Sequence, residues 1–359
     1  MKAAILKAYG QPLLLEDIPE PVPSAGEVLI RVLVAPVGWY AQEVFSGERP
    51  YPLVLPLAPG YGAIGVVEKT GPDTTRLQPG QLVFCDPMVR PRDDSTTPAN
   101  SMLQGWIARG EGPQKLQTYF RNGPFAEKML IPLENAVRLD HMDDIDPVKL
   151  SWLASLLVPY GGLLAANVQP GQTVMVNGAT GYFGGAAVAV ALAMGVERVV
   201  APGRNKDHLD ILVNHFGERV RPVLLSDNEA SNRQRIAQAA EGPIDCMLDI
   251  LGQTQDSGPT RRGILAVRPN GTAVLMGGVN ADIEIPYGYV MHNNIVIRGQ
   301  YMYPQHAPSL LAGLIRAGLL RLDVLSTRVF PLEEVNSAIR YAHDHGSAFQ
   351  LTALKPSSI

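Results

Sequence analysis

Residues 174–184 read VMVNGATGYFG, and this stretch decides the fold of the 359-residue chain. The run Val174-Met175-Val176 has the composition and length of a buried strand, and the turn after it carries three glycines. A run of small, apolar residues then continues to about Met194. A strand, a glycine-rich turn and a helix in this order predict the first unit of a parallel, doubly wound sheet.

The glycine turn has the chemistry of a phosphate-binding loop. Residues with little or no side chain let the backbone approach a pyrophosphate, and the helix N-terminus offers unpaired N–H groups to it. We expect Gly181 to allow the close approach and Gly184 the close packing of helix on strand. Ala179 replaces the first glycine of the usual fingerprint, so the match is AxGxxG. A tight turn without a ligand remains the alternative interpretation.

A regular alternation of strands and helices follows this segment. Apolar runs of strand length alternate with helix-like stretches and lie at residues 199–200, 223–225, 244–250 and 273–276. Such alternation predicts a parallel sheet with helices on both faces. After about residue 300 the pattern becomes helical, and the chain ends on a short strand at 349–354.

The N-terminal part has a different pattern. The first 150 residues contain short β-branched runs bounded by Pro/Gly turns, which predicts a compact, barrel-like β unit. Residues 87–123 interrupt it with a long polar, glycine-containing excursion that has room for at most one short helix. Long loops in compact domains are usually functional, so we expect a lid or a mobile insertion here.

The composition excludes several classes of protein. Apolar residues make up 46% of the chain and charged residues 18%, which is typical of a globular protein and not of a disordered one. The net charge is −4 and no basic run occurs, so no nucleic-acid partner is expected. No secretory signal is visible, and the longest apolar stretch, residues 184–195, is shorter than the roughly 20 residues that span a bilayer. We therefore expect no membrane association and a cytoplasmic location.

The end of the second strand predicts which nicotinamide cofactor is bound. Folds that bind NAD place an acidic residue about 20 positions beyond the glycine turn, where it holds the ribose hydroxyls. This sequence has Gly203, Arg204 and Lys206 there and no acid. A 2′-phosphate would be repelled by an acid and held by a guanidinium through charge-assisted hydrogen bonds. The pattern favours NADP(H), although two cations on a solvated helix start would give the same sequence.

The whole chain resembles the medium-chain dehydrogenase/reductase superfamily, in particular its quinone-reductase-like and alcohol-dehydrogenase-like branches. The similarity lies in the order and spacing of the glycine turn and of PSAGEVL at 23–29, PGYGAIGVV at 59–67, GQLVF at 80–84, GPFAE at 123–127 and LMGG at 275–278. The resemblance implies an α/β fold class. A Rossmann domain at 157–300 would be inserted into a GroES-like β-barrel catalytic domain made of residues 1–156 and 301–359, with the active site between the two domains.

The departures from the family concern its metal. Zinc-containing relatives carry a cysteine, a histidine and a further cysteine or acid at places that correspond to Val37, Tyr61 and Ser155 or their neighbours. None of the residues here is a good zinc ligand, and a catalytic zinc needs three N, S or O donors. The four-cysteine structural lobe of the relatives is also missing, since Cys85 is alone there. We expect no zinc in this protein.

A reductase without a metal favours an electron-poor acceptor. No Lewis acid would polarise a carbonyl oxygen, whereas hydride addition to an enone or quinone needs only hydrogen-bond donors for the developing enolate. The resemblance therefore implies an NADPH-dependent enzyme that reduces the activated C=C bond of a small enone or quinone-like molecule. Two alternatives remain open: a zinc-free ketone or imine reductase or alcohol dehydrogenase, and an NADPH-binding protein without turnover.

Two tyrosines are the candidate proton donors in this sequence. Tyr40 and Tyr61 are the candidate catalytic residues, because a phenol can donate to an enolate or carbonyl oxygen, and each is equally compatible with a pocket wall. The tyrosine that some zinc-free relatives use falls at Arg49, with Tyr51 two residues further on. The expected substrate-pocket residues are Trp39, Tyr51 and Pro159. The expected cofactor contacts are Gly178, Ala179, Thr180, Gly181, Tyr182, Phe183, Gly184, Gly203, Arg204, Lys206, Gly277 and Gly278.

The end of the Rossmann segment predicts a homodimer. Residues 294–297 have the pattern of a strand and correspond to the region that relatives use to extend one sheet across a two-fold axis. An apolar edge strand that stayed exposed would invite aggregation. Apart from a second copy, the only expected partner is the small-molecule substrate.

Overall fold

A computed structural model of the chain describes residues 1–357. Its strands are β1 Lys2–Ile5, β2 Leu14–Asp17, β3 Glu27–Val37, β4 Ala63–Thr70, β5 Leu82–Cys85, β6 Met88–Val89, β7 Met102–Leu103, β8 Lys128–Pro132, β9 Ala136–Arg138, β10 Thr173–Asn177, β11 Arg198–Gly203, β12 Val220–Leu224, β13 Ile244–Asp249, β14 Val267–Leu275, β15 Val296–Gly299, β16 Ser326–Pro331 and β17 Gln350–Lys355. Its α-helices are α1 Ala41–Ser46, α2 Glu111–Tyr119, α3 Pro147–Leu150, α4 Leu153–Ala165, α5 Tyr182–Ala193, α6 Lys206–Phe216, α7 Glu229–Ala240, α8 Gly258–Ala266, α9 Tyr287–His292, α10 Ala307–Arg316 and α11 Val335–His345.

The elements form two compact units. The N-terminal unit comprises Met1–Ala154, Leu325–Gly346 and Gln350–Ile359, and the central unit comprises Ser155–Val324 and Ser347–Phe349. The first division lies close to the boundary expected at residue 156. Residues 301–324, expected with the catalytic domain, belong to the central unit instead.

The reason for this correction is the packing of the chain after β15. The segment runs back along α4, where a Cβ atom on Gly161 would lie 2.8 Å from the Cβ of Tyr303. The same Cβ atom would lie 2.1 Å from the backbone carbonyl oxygen of Met302. These contacts tie the segment to the helix that begins the central unit, and no sequence pattern signals them.

The central unit contains the predicted parallel, doubly wound sheet, which is thereby confirmed. The strand order is β12-β11-β10-β13-β14-β15, and every neighbouring pair is parallel. This is the 3-2-1-4-5-6 order of dinucleotide-binding folds, in which the order reverses between the first and fourth strands. Here the reversal lies between β10 and β13, and ligands of such sheets bind outside the carboxyl ends of the strands at this point.

Apolar strands account for the core of the central unit. Strand β10 is buried along its whole length, as expected for a strand covered on both faces. Helix α5 is apolar all round, with only Phe183 partly exposed, which is typical of a helix enclosed by other elements. Helix α6, in contrast, buries mainly Leu209 and Leu212 and exposes its other faces.

Strand β3 organises the N-terminal unit. It pairs with β4 along one edge. Along the other edge, β8 pairs with its first half, from Glu27 to Arg31, and β17 pairs with its last residues, from Ala35 to Val37. The resulting sheet has the order β16-β17-β3-β4-β5-β9, with β8 as the extra partner of β3. The two ends of the chain therefore share one sheet, as the family resemblance implies.

One helical stretch corrects the expectation about apolar segments. Pro147–Ala165 is long and apolar enough to cross a membrane, and it is longer than the 184–195 run singled out from the sequence. The stretch is 78% buried inside the structure, as in the core helix of a globular protein. Its apolarity is therefore used in packing.

Gly65 provides a test of the packing between β3 and β4. A Cβ atom at this position would lie 2.3 Å from a methyl carbon of Ile30 and 2.7 Å from the carbonyl oxygen of Arg31. We predict that Gly65→Ala lowers the free energy of unfolding by about 1–3 kcal/mol because the buried strands must separate. Gly112→Ala is the matched control, since nothing lies within 4 Å of its added methyl. Urea denaturation measures both, and an equal effect of the two variants would contradict this account.

Candidate functional site

The glycine turn begins at the carboxyl end of β10. Gly178 has φ of 93°, and a Cβ atom on Gly184 would lie 1.9 Å from the carbonyl oxygen of Gly178. Only glycine at position 184 lets α5 begin this close to the strand. Gly181 precedes the helix, is exposed, and has one atom within 4 Å of an added Cβ. The turn thus presents open backbone and the N–H groups of a helix N-terminus, the combination that binds phosphate.

The second strand ends against this turn. A Cβ atom on Gly203 would lie 2.9 Å from the methyl carbon of Thr180 and 3.1 Å from a methyl carbon of Leu209. A side chain at position 203, such as the acid that NAD-binding folds place here, would require Thr180 or Leu209 to shift. Arg204 follows at an exposed position, and no residue of the described range 1–357 forms an ion pair with it. Lys206, in contrast, pairs with Asp210 at 2.5 Å, and the hydrogen bond to this carboxylate raises the pKa of the Lys206 ammonium.

A buried carboxyl group, which the sequence analysis did not identify, lies beside the glycine turn. Asp249 ends β13 and is 2% exposed. The hydroxyl of Thr260 donates to it at 2.6 Å and the side-chain amide of Asn177 at 3.1 Å. Burial raises the pKa of the Asp249 carboxyl, while these hydrogen bonds and one from the backbone of Leu251 act in the opposite direction. An acid at the end of an apolar strand was the available signal in the sequence.

The structure also places four other predicted residues of the central unit: Tyr182, Pro159, Gly277 and Gly278. The hydroxyls of Tyr182 and Ser155 lie 2.8 Å apart in a buried hydrogen bond, so the Tyr182 side chain faces α4. Pro159 lies inside α4 and is buried. Gly277 and Gly278 form the turn after β14, and Cβ atoms on them would lie within 3 Å of the backbone that follows β13.

The N-terminal unit gathers the predicted aromatic residues into one cluster. The ring of Tyr40 lies 5.4 Å from that of Trp39 and 6.0 Å from that of Tyr51. Trp106 lies between the two candidate donors, 5.4 Å from Tyr40 and 4.8 Å from Tyr61. The aromatic cluster is therefore Trp39, Tyr40, Tyr51, Tyr61 and Trp106. The sequence analysis named four of these residues and missed Trp106.

Trp106 comes from the 87–123 excursion, for which the sequence predicts a lid or a mobile insertion. The excursion contains the β6–β7 hairpin and α2. A Cβ atom on Gly105 would lie 2.6 Å from both the Gly60 carbonyl oxygen and the Gly123 Cα. The turn that carries Trp106 therefore contacts the loop that carries Tyr61. Trp106 itself is 1% exposed. Glycines at 60, 105 and 123 make this approach possible, and they are far apart in the sequence.

Arg49 stacks on the cluster. Its guanidinium lies 4.5 Å from the ring centre of Tyr40 and 5.7 Å from that of Trp39. Two hydrogen bonds, of 2.8 and 3.0 Å, join it to the carboxylate of Glu43. Burial alone would lower the pKa of the Arg49 guanidinium, but the hydrogen bonds and charge of Glu43, with a smaller contribution from Tyr51, leave it above its ordinary value. A permanent cation therefore lies over the face of a candidate catalytic tyrosine.

The cluster also contains hydrogen-bond donors. Within residues 1–357, the indole nitrogens of Trp39 and Trp106 are buried and have no hydrogen-bond partner. A buried donor without an acceptor costs about 1–3 kcal/mol. Two such N–H groups therefore belong to the same aromatic cluster as Tyr40 and Tyr61.

The positions that bind zinc in relatives hold other groups here. Val37 is buried in β3, Tyr61 belongs to the aromatic cluster, and the Ser155 hydroxyl is engaged by Tyr182. Across residues 1–357, no three His, Cys, Asp or Glu side chains are grouped closely enough to hold a metal ion. Both cysteines are buried, and burial raises the pKa of Cys246 to about 12 and that of Cys85 further still.

Comparison with known proteins agrees with this architecture. Residues 24–141 match the family model described as "Alcohol dehydrogenase GroES-like domain". An alcohol dehydrogenase of Moraxella sp. is 26% identical over 337 residues, which cover 94% of each chain. An acryloyl-coenzyme A reductase of Metallosphaera sedula is 24% identical over 356 residues and covers 96% of this chain and 97% of its own.

Solved structures share the fold along the whole chain. A structure described as a "putative zinc-binding dehydrogenase" from Sinorhizobium meliloti 1021, bound to NADP, has a TM-score of 0.79 at 18% identity. An alcohol dehydrogenase from E. coli CFT073 complexed with NADH has a TM-score of 0.79 at 19% identity. A cobalt- and zinc-bound alcohol dehydrogenase from Pyrobaculum aerophilum has 0.75 at 24%. Each comparison covers 99% of both chains.

The fold and these matches combine a GroES-like segment at residues 24–141 with a Rossmann sheet in the central unit. Over nearly its whole length the chain is similar to alcohol dehydrogenases, at 26% identity to the Moraxella relative. The compared structures include both NADH and NADP complexes and one with zinc. The choice of cofactor and metal therefore depends on the residues of this chain.

Proposed function

We propose that this protein is a zinc-independent, NADPH-dependent reductase that acts on the activated C=C bond of an enone or a quinone-like small molecule. The aromatic cluster carries the proposal, because it offers tyrosine hydroxyls and indole N–H groups where zinc-containing relatives have ligands. Such donors suit an enolate oxygen that gains charge during the reaction. Flat aromatic walls also suit a planar acceptor.

The preference for NADPH is supported by the end of β11. Position 203 holds glycine and no acid, and the methyl group of Thr180 and the side chain of Leu209 lie close to it. Arg204 is exposed beside it and carries the charge that a 2′-phosphate would need. Lys206 is already paired with Asp210, so we assign the main phosphate contact to Arg204.

Arg204→Asp tests the cofactor proposal. We predict that NADPH affinity falls by about tenfold or more, because charge-assisted hydrogen bonds are lost and a like charge is introduced. NADH affinity should change little, since NADH has no 2′-phosphate. Arg316→Asp, an exposed charge reversal at the end of α10, is the matched control. Titration of cofactor fluorescence gives the affinities, and equal losses for both cofactors would remove Arg204 from the phosphate site.

In the proposed reaction the cofactor and the protein side chains have different roles. NADPH, when bound, supplies the hydride. The proposed work of the aromatic cluster is to hold the acceptor ring and to donate hydrogen bonds to its oxygen. Tyr40 is our first choice for the proton donor, because it combines a hydroxyl with the guanidinium of Arg49 over its ring. Tyr61 is the second choice.

Tyr40→Phe tests the donor. We predict that kcat falls by about 10²-fold or more with an enone or quinone, because general acid assistance is lost. NADPH affinity should stay unchanged, since the hydroxyl belongs to the other half of the reaction. Tyr119→Phe, which changes a tyrosine that is 64% exposed, is the control. If Tyr40→Phe keeps near-normal turnover, Tyr40 only lines the pocket and is not the proton donor. Tyr61→Phe is then the next variant to test. Inactivation of the wild-type enzyme by EDTA would contradict zinc independence.

The relatives support one alternative function as well as the main proposal. The Moraxella relative is an alcohol dehydrogenase, which favours a zinc-free ketone or imine reductase or alcohol dehydrogenase as second candidate. The Metallosphaera relative is an acryloyl-coenzyme A reductase, which favours an activated C=C bond. An NADPH-binding protein without turnover is the third candidate. NADPH consumption with a panel of enones, quinones, ketones and imines separates all three.

We also propose a homodimer formed through β15. This strand is an edge of the central sheet, and nearby apolar side chains are exposed: Val296 is 50% exposed, Met291 50% and Tyr287 82%. A second copy would cover this edge and its apolar surface. We predict a dimer in sedimentation at micromolar concentration and dissociation on Val296→Asp. A wild-type monomer under these conditions would contradict the proposal.

A further inference from the structure

The buried carboxyl group of Asp249 lies where three turns of the central unit meet. Through its oxygens it accepts the Thr260 hydroxyl of α8 at 2.6 Å and the side-chain amide of Asn177 at 3.1 Å. The backbone N–H of Leu251 is a third donor. Asn177 immediately precedes the glycine turn, and Leu251 begins the turn after β13. One carboxyl group therefore joins the ends of two neighbouring strands to a helix.

The third turn, after β14, is tied to the other two through the backbone. The N–H of Ile250 donates to the carbonyl of Asn177 at 3.0 Å, and the N–H of Gly278 donates to the carbonyl of Leu251 at 2.8 Å. The Met276 N–H donates to the backbone carbonyl of Asp249 itself, at 3.1 Å. A displacement of the turn after β13 would therefore move both of its neighbours.

These turns lie so close together that a larger residue would not fit at their glycines. A Cβ atom on Gly178 would lie 3.0 Å from the carbonyl oxygen of Ile250, and one on Gly277 would lie 2.8 Å from the nitrogen of Leu251. Backbones this close leave no room for a side chain at either glycine, and the carboxyl group of Asp249 accepts hydrogen bonds from both the Asn177 amide and the Leu251 N–H. Asp249 and Gly277 also line a pocket of about 140 Å³ at the carboxyl end of the sheet, where ligands of such sheets bind.

A carboxyl group at this buried position has both a cost and a use. Burial raises the pKa of the Asp249 carboxyl, which means that the charged form is disfavoured at this place. An apolar residue would avoid that desolvation but would leave the Asn177 amide and the Thr260 hydroxyl without an acceptor. A buried acid with three donors instead specifies one geometry for the groups that it joins.

We propose that Asp249 is a positioning residue for the dinucleotide: it holds the glycine turn, the turn after β13 and the turn after β14 in the arrangement that binds the cofactor. This inference rests on the proposed NADPH binding. Asp249 would act on the pyrophosphate and nicotinamide half through the backbone of these turns. It would have no effect on recognition of the 2′-phosphate, which the proposed function assigns to Arg204.

A reciprocal exchange of Asn177 and Asp249 tests the proposal. Asn177→Asp alone places two carboxyl groups side by side, and we expect affinity for NADPH and for NADH to fall by the same factor of about ten or more. The double variant Asn177→Asp, Asp249→Asn restores an amide-to-carboxylate hydrogen bond in reverse. We expect it to recover affinity to within about threefold of the wild type. Asn214→Asp, the same change at an exposed position of α6, is the matched control.

The readouts separate positioning from simple loss of fold. Cofactor fluorescence gives the two affinities, and thermal unfolding of the cofactor-free protein shows whether each variant is folded. If Asn177→Asp is unfolded, Thr260→Val removes one donor with a smaller disturbance and is expected to weaken both cofactors by about threefold or more.

Three results would overturn the inference. Wild-type affinity in Asn177→Asp or, where that variant is unfolded, in Thr260→Val would do so. A double variant that regains thermal stability without regaining affinity would reduce Asp249 to a structural residue. A loss confined to NADPH would place the effect at the 2′-phosphate. Wild-type protein that binds neither cofactor would overturn the proposed function together with the inference, so the two failures are distinguishable.

Discussion

The pairing of β17 with β3 is the constraint on which the rest of the structure depends. Thr352, Ala353 and Leu354, close to the C-terminus, pair antiparallel with the end of an N-terminal strand. This pairing makes the N-terminal unit from both ends of the chain, and everything from Ser155 to Val324 becomes an insertion that must begin and end at that unit. The insertion forms a parallel sheet that extends from β10 in both directions, with helices as the crossover connections between β10, β11, β12, β13 and β14.

The insertion concentrates its chemistry at one edge. Parallel strands all point the same way, so the turns after β10, β11, β13 and β14 lie at one edge of the sheet, the carboxyl edge. The glycines at 178, 184, 203 and 277 let these turns approach one another and the helices that follow. Asp249 adds a buried polar anchor to this close arrangement. Backbone proximity and one carboxyl group thereby create a surface suited to a dinucleotide.

The N-terminal unit provides hydrogen-bond donors from a cluster of side chains. It packs five aromatic side chains against one another and places the guanidinium of Arg49, paired with Glu43, over the ring of Tyr40. Aromatic rings provide apolar walls, while phenol and indole groups provide directed N–H and O–H donors. In the proposed reaction these donors take over the stabilisation of negative charge on oxygen that a metal provides in zinc-containing relatives.

Local sequence determined the strands, the glycine turn, the fold class and the absence of an acid after β11, because each depends on residues that are neighbours in the chain. Gly203 and Arg204 could be interpreted from their distance to the glycine turn alone. Tertiary structure alone decided that Trp106 lies between Tyr40 and Tyr61, since three glycines at 60, 105 and 123 let distant loops touch. It alone decided that residues 301–324 pack with the central unit and that Asp249 joins Asn177 to Thr260. These contacts arise from close approach between segments that are far apart in sequence, and no periodicity or local motif encodes such an approach.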